Sequence, residues 1–166
     1  PKEVKLLACV ELHQEDESKI VNTFSNHNFK GYYTPPSKEI GGEGNHGGEI
    51  VACKSHLTSL PVKPDILQHL ASHFSAPLRF SACILRCKSL SFLFCTIYLW
   101  CSEGFSDRNT CIMQQLQHLM LTCGLPILCV GDFNLTPLEF AQSGWLERIK
   151  VELVVPSSTA TTTTQS

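Results

Sequence analysis

Two periods alternate along this chain, and together they predict a mixed α/β order. Residues 4–12 (VKLLACVEL) form an apolar run of strand length that ends in a carboxylate, Glu11. Residues 15–24 put acids first and then Ile20, Val21 and Phe24, which fits a short surface helix. Residues 29–33 read as an aromatic strand closed by Pro35-Pro36, and residues 49–57 as another strand after the glycine-rich GGEGNHGG. Ile66, Leu67, Leu70 and Phe74 recur at helical spacing over residues 64–74. Residues 79–86 and 89–100 follow as a hairpin turning at Cys87-Lys88.

The clearest helix is predicted over 106–123. Ser106 is placed to cap it, and Ile112, Met113, Leu116, Leu119, Met120 and Cys123 form its buried stripe; Gly124 ends it, with Pro126 beyond. It leads directly into PILCV, residues 126–130, whose length and β-branched content predict a buried strand ending at Gly131. Strand, helix and parallel strand make the right-handed crossover unit of an α/β sheet. Thr136-Pro137-Leu138-Glu139 then has the form of a helix start, with Thr136 as N-cap and Glu139 three residues on. A short helix over 138–142 should stop at Gly144, with Trp145 as a packing anchor and a last strand over 151–155. The Ser/Thr/Gln-rich residues 157–166 cannot build a core and are expected to be disordered, leaving 1–156 as the folded domain.

Candidate chemistry gathers after the 126–130 strand. On a strand of period 2, Asp132 and Asn134 project to one side and Phe133 to the other. A carboxylate and a carboxamide then stand at the carboxyl end of a strand, where open α/β sheets place their ligands. The same residue types also cap strands and make turns, so this stretch alone does not decide between the two roles. Glu11 and Tyr98 likewise stand near predicted strand ends, and each has an ordinary alternative, as a loop carboxylate or as a packed ring whose hydroxyl reaches the surface. The glycine-rich 41–48 segment lacks the Lys-Ser/Thr ending of a phosphate-cradling loop. His46, His56, His69, His73 and His118 have no ligand spacing around them and read as solvated. Arg108, in the first turn of the long helix, reads as a solvated surface residue within reach of a phosphate.

Composition narrows the class. Apolar residues make up 43% and charged residues 17%, a globular balance. A formal net charge of −2 supplies no global basic field, so nucleic acid would have to be met through local basic surface or a metal. The nine cysteines form no C-x-x-C and no zinc-finger spacing, and the count is odd. Most fall in apolar runs, which predicts buried free thiols in a reducing compartment, nucleus or cytoplasm. The longest apolar run, residues 90–101, is about half the length of a membrane span, so no membrane role is expected. Pro1 as first residue and a strand following at once suggest a chain cut from a longer one.

Gly131-Asp132-Phe133-Asn134, with Pro126 before and Pro137 after, resembles the GDFN signature of the endonuclease/exonuclease/phosphatase superfamily. That superfamily includes DNase I-like nucleases, abasic-site endonucleases, endonuclease domains of non-LTR retroelements and inositol phosphate phosphatases. Glu11, Tyr98, Asp132 and Asn134 occur in the family's order, over roughly residues 6–155. Three positions depart from the pattern: Val10 replaces the usual Gln, Glu49 a small or apolar residue after the Gly-Gly pair, and Trp100 the usual Pro, with no Asn following.

The resemblance implies a four-layer sandwich of two mixed β-sheets with helices outside, of which this chain would be the central part. It also implies phosphodiester hydrolysis, in the manner of a retroelement-type endonuclease, with Mg²⁺, or Mn²⁺, held by Glu11. In that chemistry Asp132 orients or deprotonates the attacking water, Asn134 donates to a phosphate oxygen and Tyr98 positions the phosphate. The family's opening Asn strand and closing Ser-Asp-His would lie beyond the two ends, so weak or absent activity is expected of the isolated chain. The implied partner is nucleic acid, DNA first, or a small phosphate ester, with a monomer as the default assembly. The alternatives are a non-catalytic binding module that keeps the fold and a phosphoinositide-type phosphatase.

Overall fold

The computed structural model describes residues 3–38 and 44–155, so residues 157–166 and Gly41-Gly42-Glu43 lie outside the described residues. The order begins β1 (Leu6–Cys9), α1 (Glu17–Asn26), β2 (Phe29–Thr34), β3 (Ser37–Lys38), β4 (Asn45–His46) and β5 (Glu49–Lys54). It continues β6 (Thr58–Pro61), α2 (Pro64–His73), β7 (Phe80–Cys87), β8 (Leu90–Tyr98) and α3 (Asp107–Cys123). Last come β9 (Ile127–Asp132), α4 (Pro137–Gln142) and α5 (Trp145–Ile149). The chain divides into two compact units, Pro1–Asn134 and Leu135–Ser166. No described helix is long and apolar enough to cross a membrane.

In the larger unit one sheet has the order β1-β5-β2, antiparallel throughout, and the other β6-β7-β8-β9, in which β8 and β9 run parallel. β3 and β4 form a separate two-stranded ribbon. The two sheets meet through a shared cluster, Val51 and Cys53 from one with Cys83, Leu85 and Phe94 from the other. This is the mixed α/β, DNase I-like architecture expected, with the parallel pairing confined to one of its sheets.

Local chemistry explains most boundaries. Ser106 caps α3 by accepting from the Asn109 N–H at 3.2 Å, and Gly124 ends it in the left-handed region with φ 61. Ile112, Met113, Leu116 and Leu119 are buried as the 3.6-residue pattern requires. In the smaller unit, Thr136 and Glu139 complete a reciprocal capping box, and Trp145 is buried against Phe140 with ring centroids 5.6 Å apart.

Four expectations change. The first strand stops at Cys9 because the chain leaves the sheet there; Glu11 and His13 both adopt positive φ, 57 and 51. Residues 49–57 are not one strand: β5 stays in the first sheet and the chain crosses to the second, where Thr58–Pro61 pairs with β7 as an edge strand ending in proline. This strand has too few apolar residues to show a period. Residues 151–155 form no strand, and Val154 is 82% exposed, since a strand requires a pairing neighbour as well as β-branched residues. Finally, β9 lies at the edge of its sheet, so Leu128 and Val130 are exposed where a doubly covered strand was expected.

All nine cysteines are free, with Cys53, Cys83 and Cys95 buried. His69 and His73 stack on α2 at 5.3 Å, and His118 lies 5.6 Å from His69, so these histidines are partnered with one another.

β9 runs through Gly131 to Asp132, and the glycine is what lets it close on β8. A Cβ there would lie 2.0 Å from the Ile97 carbonyl oxygen, which is backbone and cannot yield. Gly131→Ala is therefore expected to cost about 3 kcal/mol or more in urea unfolding. Gly124→Ala, where a Cβ meets nothing within 4 Å, should cost only about 1 kcal/mol for its left-handed φ. Equal losses at the two positions would contradict the close strand approach.

Candidate active site

The parallel ladder between β8 and β9 ends by pairing Tyr98 with Asp132, and the Leu99 N–H donates to the Asp132 carbonyl at 3.0 Å. Register partners on neighbouring strands present side chains to the same face. The phenol and the carboxylate are thus placed side by side by backbone pairing alone.

Asn134 reaches this place differently from the alternation expected. The strand has already ended, Asn134 takes φ 47, and its N–H donates to Asp132 Oδ1 at 3.0 Å in an Asx turn. Its Nδ2 donates to the Leu99 carbonyl at 2.6 Å. The amide is locked onto Leu99, the residue after β8, by one of its two side-chain N–H groups, and Asp132 keeps Oδ2 outside that turn.

Glu11 arrives from the other sheet and is 39% exposed. It acts on Tyr98, which is buried. Burial first, then the hydrogen bond and charge of Glu11, push that phenol up to about 12. Tyr98 is therefore a protonated donor at neutral pH. The structure brings together Glu11, Tyr98, Asp132 and Asn134, the four candidates of the sequence.

Two buried charges at this place carried no sequence signal of function. Arg79 is 1% exposed, and none of its Nε, Nη1 or Nη2 atoms makes a hydrogen bond. Its guanidinium lies 4.5 Å over the Tyr98 ring and 3.9 Å over the Trp100 ring, with Nη2 4.0 Å from Glu11 Oε1. Burial lowers its pKa, opposed chiefly by Glu49 and then by Tyr98 and Glu11. Glu49 is fully buried, and burial pushes its carboxyl up to about 7 against the opposing charge of Arg79 and the Gly48 N–H. An arginine heading an apolar strand and a glutamate after two glycines look like surface residues until the sheets close over them.

Trp100 is held by its backbone. Asn109, fully buried in the first turn of α3, accepts from the Trp100 N–H at 2.7 Å and donates to the Trp100 and Gly104 carbonyls at 3.0 and 2.9 Å. Arg108, still an exposed surface residue as expected, therefore arrives 3.8 Å over the indole and tied to Glu103 at 3.3 Å. His46 also packs on Trp100, at 5.5 Å, so it is not the solvated side chain expected.

Glu11 offers a hard carboxylate of the kind Mg²⁺ takes singly with waters and substrate oxygens, and its partial exposure fits such a site. Among the described residues no three His, Cys, Asp or Glu side chains converge as a metal cage. The donor set fits a metal shared with substrate, with the Arg79 cation as competitor.

No family model matches the sequence, and no curated protein matches it. Solved structures do match in fold. The human Nocturnin catalytic domain superposes with a TM-score of 0.56 at 18% identity, covering 86% of this chain and 55% of its own. ANGEL2, described as a 2',3'-cyclic phosphatase, gives 0.55 at 18% identity, covering 84% of this chain and 43% of its own. The 3' phosphatase NExo from Neisseria gives 0.50 at 12% identity, covering 87% and 60%. The chain spans about half the length of these structures. Their common architecture is the DNase I-like fold that the GDFN resemblance implied.

The Glu49 carboxyl supplies a pH test. Its folded pKa lies above the unfolded value of 4.5, so its contribution is fully present below 4.5 and is lost as pH rises to about 7. Stability against urea should fall over that window by on the order of 2 to 3 kcal/mol more in the parent than in Glu49→Gln. Parallel pH curves for the two proteins would refute a buried, proton-holding Glu49.

Proposed function

We propose that this chain is a hydrolase of phosphate esters, in its narrower form a metal-dependent phosphodiesterase of the retroelement-endonuclease kind. The observation that carries the reading is the Tyr98–Asp132 pairing at the end of β8 and β9, with Glu11 at the phenol. The fold shared with Nocturnin, ANGEL2 and NExo, two of them described as phosphatases, supports it.

The residues divide the work by their chemistry. Asp132 holds Asn134 through Oδ1, which leaves Oδ2 to orient a water and take its proton. Tyr98, raised to about 12, donates its proton in a hydrogen bond to a phosphoryl oxygen. Asn134 gives its remaining side-chain N–H to the same group. Glu11 would hold Mg²⁺ or Mn²⁺, which when bound supplies neutralisation of the charge on the phosphoryl oxygens. The amide anchored on Leu99 and the phenol set by strand register keep these donors from reorganising during the reaction.

Plasmid nicking by the folded protein in Mg²⁺ and Mn²⁺, beside Asp132→Ala, tests the reading. Slow metal-dependent nicking is expected, falling on the order of a hundredfold or more in the variant. Identical rates for the two proteins would remove catalysis and leave a binding module. Because Tyr98 titrates near 12, the rate should not fall on its account below about pH 10; a decline near pH 8 abolished by Tyr98→Phe would contradict the protonated-donor role.

A further inference from the structure

The indole of Trp100 lies two residues beyond Tyr98, about 7 Å along an extended chain. Its place is fixed from within. The buried Arg79 guanidinium packs on the ring at 3.9 Å, and Asn109 holds both the N–H and the carbonyl of the residue. On the outside His46 lies against the indole with ring centroids 5.5 Å apart, and the cover over the ring is Arg108, 47% exposed, 3.8 Å from its centre and tied to Glu103 by one contact at 3.3 Å. An exposed ion pair and an exposed cation–π contact are each weak, so this cover is cheap to displace. A fixed aromatic ring under a displaceable cation, one step from a phosphate-handling phenol, has the chemistry of single-strand nucleic-acid recognition: a π-face for a base and a guanidinium for its phosphate.

Resting on the phosphate-ester reading above, we propose that Trp100 is a stacking platform for an unpaired nucleobase flanking the phosphate held by Tyr98 and Asn134. Arg108 is the cover that the base displaces, and its guanidinium then meets the adjacent backbone phosphate. The substrate class is thereby nucleic acid with at least one unpaired nucleotide beside the cut, not a base-free phosphate ester. Trp100 acts as a specificity-determining residue.

The test is binding without turnover. In Trp145→Phe, Trp100 is the one remaining indole of the two in the sequence. That protein is titrated in EDTA with a ten-nucleotide oligothymidylate and with a base-free deoxyribose-phosphate polymer of equal length and charge. Indole fluorescence should quench with the first, which should bind on the order of tenfold or more tightly than the second. Arg108→Ala, an exposed change, should keep that preference while lowering the salt dependence of binding by about one phosphate contact. Equal affinity for the two polymers, binding without a change at Trp100, or no binding of either would overturn the platform. Base-dependent binding with no nicking would instead sink the hydrolase reading alone, and nicking without base preference would sink the platform alone.

Discussion

A guanidinium withdrawn from water has to be compensated where it stands, and Arg79 sets that condition for the larger unit. Its N–H groups find no hydrogen-bond acceptor, so its charge is met by rings and carboxylates instead: Tyr98 and Trp100 stacked on it, Glu11 at 4.0 Å, and buried Glu49. An uncompensated buried ion costs several kcal/mol, more than a typical hydrogen bond returns. The groups placed around this charge include two of the four candidate catalytic residues. Glu11 comes from beyond β1 and Tyr98 from β8, so the cation also links the two sheets at the site.

Against that electrostatic centre stands a backbone constraint. Gly131 brings β9 so close to β8 that no side chain fits, and this approach delivers Asp132 beside Tyr98. Asn134 is then fixed by a turn rather than by the sheet, so the GDFN tetrapeptide divides its work: glycine for the close strand contact, the aspartate carboxylate to accept the turn's N–H, asparagine for the anchor on Leu99. Trp100 and Glu49, two positions where the sequence departs from the pattern it resembles, both lie in the environment of Arg79.

Much of the architecture was legible without coordinates. The period-3.6 stripe of α3, its Ser106 and Gly124 ends, the hairpin of β7 and β8 and the capping box of α4 are local interactions, each complete within a few residues of sequence. Glu11, Tyr98, Asp132 and Asn134 were legible as a set through their order and the GDFN resemblance. The edge strand β6 and the unpaired residues 151–155 were not, because strand formation depends on a neighbour elsewhere in the chain.

The sequence by itself determined where helices start and stop, which faces they bury, and which polar residues stand at strand ends. Those properties follow from short-range hydrogen bonding and hydrophobic periodicity. Only the tertiary structure decided that Arg79 and Glu49 are buried, that Arg108 and His46 lie on Trp100, and that Glu11 meets Tyr98. Burial and charge pairing are set by sheets closing over residues distant in the chain, and no local pattern encodes which charged side chain will be enclosed.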